Sequence, residues 1–161
     1  MTRALEFHRL TEGDGTGLVL ALGDPEVTGP SNLPFDDFRA AEVFVSARLS
    51  EHSRGECEAY VLRIDGSIVG YAALYLREGE IEPVFAVVPS LWGAGLGGLA
   101  LDFLIKRADL SAEGRHLMAR CRPDNGRAAA LLRSRGFRPS PVSDADSHRF
   151  VRSRSRRSVA C

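Results

Sequence analysis

Cysteines are few in this 161-residue sequence, and they lie far apart. Cys57, Cys121 and Cys161 are an odd number with no metal-ligand spacing. That pattern favours free thiols in a reducing compartment and argues against a disulfide framework. The four histidines are scattered as well, so the sequence predicts no bound metal.

Long apolar runs are also absent. The stretch Val84–Val88 has five residues, whereas a helix that spans a bilayer needs about 20. Residues 1–6 contain no apolar segment of the kind that opens a signal peptide. We therefore expect a cytoplasmic protein with no membrane partner. With 44% hydrophobic residues, the chain has the composition of one domain with a substantial core.

Acidic residues are missing from the end of the chain. Residues 1–148 hold 16 basic and 21 acidic residues, a net charge of −5, and residues 149–161 carry +5. We interpret residues 1–151 as a single domain and residues 152–161 as a basic, disordered tail. A tail that contacts nucleic acid is the alternative, but the acidic body argues against a nucleic-acid partner.

Glycines are concentrated in one place, directly after an apolar segment. Val84–Val88 leads into a turn that contains Gly93, Gly95, Gly97 and Gly98, and a helical pattern follows. Such a turn exposes backbone N–H groups at the positive end of a helix dipole, which suits a phosphate or pyrophosphate. Glycine also lets a ligand approach the main chain closely. An ordinary tight strand–helix connection is the alternative.

The remaining patterns indicate an α+β fold. Alternating and helical spacings predict the order β–α–α–β–β–β–α–β–α–β, with a mostly antiparallel front half and one parallel crossover. Pro83 lies inside a predicted strand and cannot donate to a ladder, which suggests a bulge or locally broken pairing there. The predicted strands are 4–10, 58–64, 67–76, 81–88, 116–122 and 148–151; the predicted helices are 17–22, 35–51, one after the glycine turn and 126–135; residues 25–34 are predicted to be a loop.

Two motifs in this order resemble the GNAT (Gcn5-related N-acetyltransferase) superfamily. The family's central signature of Arg or Gln, two residues, Gly, one residue, then Gly or Ala falls on Trp92-Gly93-Ala94-Gly95-Leu96-Gly97, which fits it after the first position. Val87-Val88-Pro89 lies at the usual distance before it. A second signature runs from Asn125 to Gly136-Phe137, and we predict Asn125 as a helix N-cap and Gly136 as the residue after the helix.

The resemblance implies a three-layer α/β/α architecture with a mixed, mostly antiparallel sheet. The sheet would splay between the strand ending at Val88 and the strand ending at Arg122, and acetyl-CoA would lie in that gap. Backbone groups would pair with the pantetheine arm, N–H groups would hold the pyrophosphate, and Asn125 would lie near the thioester end. The implied cofactor-binding residues are Ala86, Val87, Val88, Gly93, Ala94, Gly95, Leu96, Gly97, Gly98 and Asn125.

Two positions depart from the family pattern. Trp92 replaces the usual Arg or Gln, so its side chain cannot make the usual contact with the cofactor. Leu132 replaces a Tyr that commonly protonates the leaving thiolate. Tyr71 and Tyr75 lie on one face of the neighbouring strand, and either is a candidate for that acid. The alternative is that both tyrosines simply pack at the rim of the sheet.

Glu82 is the candidate general base, because many family members carry a Glu on the strand that leads to the glycine turn. The amine must lose a proton before it can attack, and burial would raise the pKa of Glu82 toward a useful value. A surface carboxylate that follows Glu78 and Glu80 is the alternative. By analogy, the backbone N–H of Val87 is a candidate oxyanion donor.

These residues predict an acetyl-CoA-dependent N-acetyltransferase that acts on a primary amine of a small molecule or a protein. The alternative function is that of a weakly active or non-catalytic domain that binds CoA. The sequence leaves both a monomer and a homodimer open. The acceptor would lie among the 25–38 segment, the hairpin and the last strand. Asp36, Asp37 and Glu42 are candidates for attracting a cationic amine; the alternative for Asp36 and Asp37 is that they merely favour a helix N-terminus.

Overall fold

The computed structural model describes residues 4–111, 116–142 and 144–153. One seven-stranded sheet carries helices on both faces, as the sequence predicts. Within the described ranges, no helix is long and apolar enough to cross a membrane. The strands are β1 (Leu5–Arg9), β2 (Cys57–Ile64), β3 (Ser67–Arg77), β4 (Glu80–Val87), β5 (His116–Cys121), β6 (Arg138–Pro139) and β7 (His148–Arg152); the helices are α1 (Asp14–Leu22), α2 (Pro25–Ser31), α3 (Phe38–Ser53), α4 (Leu96–Ser111) and α5 (Gly126–Ser134).

The strand order is β1-β2-β3-β4-β5-β7-β6, and β4 with β5 is the parallel pair. These two strands pair only at their amino ends, where Glu80 lies beside His116 and Ile81 beside Leu117. The remaining neighbours are antiparallel. A gap therefore opens between β4 and β5 toward their carboxyl ends, as the resemblance implies.

Each face of the sheet has its own core. On one face, α4 and α5 cover a cluster that includes Ile81, Leu101 and Leu132. On the other face, α1, α2 and α3 cover a cluster that includes Phe35 and Tyr71, both of which are fully buried. Since side chains alternate along a strand, neighbouring residues of β4 serve opposite layers.

The segment predicted as a loop over residues 25–34 contains a helix, α2. Pro25 occupies its first turn, where the missing N–H costs no hydrogen bond, and the Asp24 side chain accepts from the N–H of Glu26 at 2.8 Å. Asn32 ends the helix in the left-handed conformation, with φ 54°. The prolines here begin and end a short helix instead of preventing one.

Pro83 causes no bulge, and the alternative prediction of locally broken pairing is confirmed. The β3–β4 register runs without a shift through Leu74 opposite Pro83, and the irregularity lies between β2 and β3, at Leu62 and Arg63. Val88 donates its N–H to the oxygen of Val69 on β3, so by alternation Pro83 points its backbone nitrogen toward β5. Pairing with β5 has already ended there, and no ladder donor is lost.

The carboxyl-terminal elements follow the predicted pattern with two additions. Asn125 caps α5, accepting from the N–H of Ala128 at 3.1 Å, and the N–H groups of Gly136 and Phe137 close the other end on Arg133 and Leu132. The short strand β6 was not predicted. Arg152, assigned to the tail from the sequence, belongs to β7; residues 154–161 lie outside the described ranges.

Candidate active site

The gap between β4 and β5 presents the backbone of Val87. The N–H of Val88 is engaged with Val69 of β3, so alternation turns the N–H and C=O of Val87 and Phe85 toward the gap. Ala86 shares the orientation of Val88 and faces β3. Of the three residues expected to pair with pantetheine through their backbone, Val87 is therefore the one whose groups face the gap; Phe85 was missed, although strand alternation predicts it.

The glycine turn and the start of the next helix contain several N–H groups that have no partner within that helix. Gly93 and Gly95 have φ of 85° and 84°, and a Cβ built on either meets nothing within 4 Å. Helix α4 begins at Leu96, so the N–H groups of Leu96, Gly97 and Gly98 belong to its first turn and have no partner within the helix. Ala94 differs, because its N–H donates to the oxygen of Leu91 at 3.2 Å within the turn.

Trp92 connects this turn to the end of β4. Its indole N–H donates to the oxygen of Val87 at 2.9 Å, and its side chain is 40% exposed. The guanidinium of Arg127, in the first turn of α5, lies 5.0 Å from the centre of the indole ring. The Arg127 guanidinium therefore places a positive charge next to Trp92, the residue before the glycine turn, although position 92 itself is not Arg or Gln. No sequence motif pointed to Arg127.

Three side chains on the α5 side of the gap are held by structural contacts. The carboxamide oxygen of Asn125 caps α5, as described above, and Leu132 is 3% exposed in the core. Leu132 therefore contributes packing at the position where the family often has Tyr. Cys121 is buried at the end of β5, and burial raises the pKa of its thiol, which fits an unreactive side chain.

Glu82 lies at the point where β4 and β5 separate, one residue after the last paired position. It is half-buried and lies opposite Tyr75 of β3, on the sheet face that α1 and α3 partly cover. Burial raises the pKa of Glu82, the charges of Arg120 and Arg77 oppose that rise, and Glu80 adds to it. No ion pair to Glu82 is formed among the described residues.

The two candidate tyrosines lie on the same face but are mostly enclosed. Their hydroxyl oxygens are 3.0 Å apart, Tyr71 is fully buried and Tyr75 is 6% exposed. Arg48 and Arg77 lie 5.3 and 5.1 Å from the centre of the Tyr75 ring. Burial raises the pKa of Tyr75, so its hydroxyl keeps its proton near neutral pH. Tyr75 is the better placed of the two, because it lies directly opposite Glu82.

A cavity of about 420 Å³ opens on this face of the sheet. It lies over the amino ends of β4 and β5, beside the point where the gap begins. Sequence reasoning singled out Glu82 but missed the basic residues of this cavity, because Arg77 and Arg120 come from the two neighbouring strands, β3 and β5. We call it the charged pocket; its lining residues are Arg77, Glu78, Glu80, Glu82, Met118 and Arg120.

The acidic residues proposed from the sequence to attract the amine lie elsewhere. Asp37 caps α3, accepting from the N–H of Arg39 at 2.7 Å and of Ala40 at 3.2 Å. Asp36 lines a second cavity, of about 740 Å³, at the carboxyl end of β4. Neither lies beside Glu82 in the charged pocket, and for Asp37 the helix-capping alternative is confirmed.

A sequence model of the acetyltransferase (GNAT) family matches residues 26–137, more than half of the chain. The chain belongs to that family. The predicted GNAT resemblance and the predicted class of enzyme, an acetyltransferase, are therefore confirmed. No curated protein matches this acetyltransferase by sequence.

Solved structures confirm the GNAT fold. The RimL ribosomal L7/L12 α-N-protein acetyltransferase in complex with coenzyme A is 18% identical, with a TM-score of 0.78 over 95% of each chain. The ribosomal-protein-S5-alanine acetyltransferase of Vibrio fischeri is 13% identical, with a TM-score of 0.75 over 97% of this chain and 96% of that one. The yncA protein of Salmonella typhimurium, solved with acetyl-CoA, is 18% identical, with a TM-score of 0.74 over 98% and 99%.

Proposed function

We propose that this acetyltransferase uses acetyl-CoA to acetylate a primary amine. The observation that carries the proposal is the position of Glu82. This half-buried carboxylate lies where β4 and β5 separate, between the charged pocket and the gap. A base at that point is within reach of an amine that enters from the pocket and of an acyl donor that lies in the gap.

The residues around the gap fit the phosphates and the arm of acetyl-CoA. The N–H groups of Gly93, Gly95 and Leu96–Gly98 suit a pyrophosphate at a helix N-terminus. The backbone of Val87 suits an extended amide arm that adds to the sheet edge. RimL and yncA were solved with coenzyme A and acetyl-CoA, respectively, which supports the same class of ligand here.

When bound, acetyl-CoA supplies an acetyl thioester, and transfer forms an N–C bond while the C–S bond breaks. Glu82 takes the proton of the attacking amine, because an ammonium has no lone pair. The Val87 N–H is the proposed donor to the carbonyl oxygen. Tyr75 is the proposed source of the proton for the leaving sulfur. The proposed acceptor is a small molecule or a protein; the RimL and S5 enzymes named above act on ribosomal proteins, which supports an amine acceptor.

Calorimetric titration with acetyl-CoA, followed by a thiol-release assay with a panel of amines, tests this function. We expect saturable binding in the micromolar range, about 8 kcal/mol. Glu82→Gln should lower kcat by about 10²–10⁴-fold and leave acetyl-CoA affinity unchanged. Glu56→Gln is the control, since Glu56 forms an exposed ion pair with Arg54.

Two outcomes would contradict the proposal. Absence of binding at millimolar acetyl-CoA would mean that the gap does not take this donor. Binding with no thiol release, or release at an unchanged rate in Glu82→Gln, would favour the alternative of a non-catalytic CoA-binding domain.

A further inference from the structure

The charged pocket contains two arginines whose charge is not neutralised by an ion pair among the described residues. Arg77, from β3, and Arg120, from β5, are both exposed and both line the cavity. The third arginine on this face, Arg149 of β7, pairs with Glu80. Glu80 also accepts from His116 at 3.0 Å, so its charge is already engaged.

Arg120 is placed unfavourably for the protein alone. It lies directly opposite Arg149 in the antiparallel pairing of β5 with β7, so the two guanidiniums share one face of the sheet. Like charges in that arrangement destabilise a sheet. Glu80 bonds to Arg149, and Arg120 lies near Glu82 without forming an ion pair with it among the described residues. An anionic group of a ligand in the cavity would give Arg120 a direct partner.

The carboxylates of the pocket show where a cation would lie. With Glu80 engaged, Glu82 and the exposed Glu78 of the β3–β4 turn remain. Glu82 of β4 lies between Arg77 of β3 and Arg120 of β5, so the pocket brings charges of both signs together with no ion pair among these three side chains. A ligand that carries an ammonium and a carboxylate complements both kinds of charge.

We propose that the acceptor is a small α-amino acid, with its amine on Glu82 and its carboxylate on Arg120. This inference rests on the proposed function and adds the substrate class to it. The cavity of about 420 Å³ falls at the lower end of the ~300–1,000 Å³ typical of small-molecule sites. Met118 provides an apolar surface on its floor for a side chain.

Matched acceptors test the proposal directly. We would measure kcat and KM for L-amino acids, for their primary amides, and for an alanine tetrapeptide amide, in which the amine has no carboxylate nearby. The amide removes the negative charge and retains the amine. We expect kcat/KM to favour the acids by roughly 10- to 100-fold, as a charge-assisted hydrogen bond does.

Arginine variants locate that preference. Arg120→Gln should abolish the acid-to-amide preference mainly by raising KM for the acids, and Arg120→Lys should restore part of it. Comparison of the ratio between variants cancels the different amine basicity of acid and amide. Arg54→Gln is the control, since Arg54 is an exposed arginine paired with Glu56.

The outcomes separate this inference from the proposed function. Equal use of acids, amides and the tetrapeptide, or an equal loss for all of them in Arg120→Gln, overturns the substrate class and leaves the acetyltransferase standing. If acetyl-CoA binds but no acceptor releases thiol, the CoA complex is titrated with the acids in a calorimeter to test whether the charged pocket binds them. Binding of acids that requires Arg120 supports the pocket, and no such binding overturns it.

Discussion

The two candidate sites at the ends of strand β4 differ in kind: one consists of backbone groups and the other of side chains. At the carboxyl end, the candidate site for the donor consists of backbone groups: the Val87 edge and the N–H groups around Gly93 and Gly95. At the amino end, the charged pocket consists of side chains from β3, β4 and β5. A backbone site depends on where glycine permits a conformation, whereas a side-chain site depends on which strands meet.

That difference explains what could be predicted from the sequence. The glycine turn, the Asn125 cap and the end of α5 at Gly136 were predicted correctly, because each is a local pattern with its own physical cause. Arg120 and Arg149 are 29 positions apart, and only the pairing of β5 with β7 brings them opposite one another. No local pattern contains that information.

After Glu82→Gln, the largest expected effect concerns the two tyrosine hydroxyls beside the amino end of β4. Tyr75→Phe should lower kcat by about 10²-fold if Tyr75 protonates the leaving sulfur. Tyr71→Phe removes the same hydroxyl–hydroxyl bond of 3.0 Å but leaves the Tyr75 hydroxyl in place, so it serves as the matched control. Equal loss in both variants would show that the bond matters for packing and would remove Tyr75 from the reaction.

A substitution at Gly95 tests whether the glycine turn at the carboxyl end of β4 binds acetyl-CoA. Gly95→Ala introduces a side chain at φ 84°, and we expect acetyl-CoA affinity to fall by about tenfold as the turn readjusts and N–H groups move. Gly55→Ala introduces a comparable strain at φ 72° after α3, where a Cβ likewise meets nothing within 4 Å. Both variants should lose about 1 kcal/mol of folding stability in thermal unfolding, but only Gly95→Ala should weaken binding. Equal affinities would show that the turn does not hold the donor.

The pH dependence of kcat distinguishes the two ends further. Glu82 acts as a base only when deprotonated, and burial raises its pKa from the ordinary value of 4.5. Activity should therefore fall as pH decreases through that raised pKa, by no more than tenfold per pH unit, and Glu82→Gln should remove this limb. Acetyl-CoA affinity, which depends on the backbone end, should stay constant over the same range. A limb that persists in Glu82→Gln would assign it to another group.

Two features could not be predicted because the local residue preferences favour a different structure from the one observed. Pro25 and Pro30 suggest a loop, yet one occupies the first turn of α2 and the other its last. Position 92 lacks the family's Arg or Gln, which suggests a weak cofactor site. The indole instead bonds to Val87, and the guanidinium of Arg127, 35 positions away in the sequence, lies 5.0 Å from the centre of the indole ring.

The smallest expected effects test that substitution at position 92. Trp92→Phe keeps a ring beneath Arg127 but loses the 2.9 Å bond to Val87, and Arg127→Gln keeps that bond but loses the cation. Each should weaken acetyl-CoA binding by about threefold, in line with roughly 0.5–1 kcal/mol for either contact. The salt dependence of ADP binding distinguishes the two variants. Arg127→Gln should reduce it, because this variant removes a charge near the pyrophosphate, whereas Trp92→Phe should leave it unchanged. If both variants keep the wild-type salt dependence, Arg127 does not face the phosphates, and the donor end of β4 binds through its backbone alone.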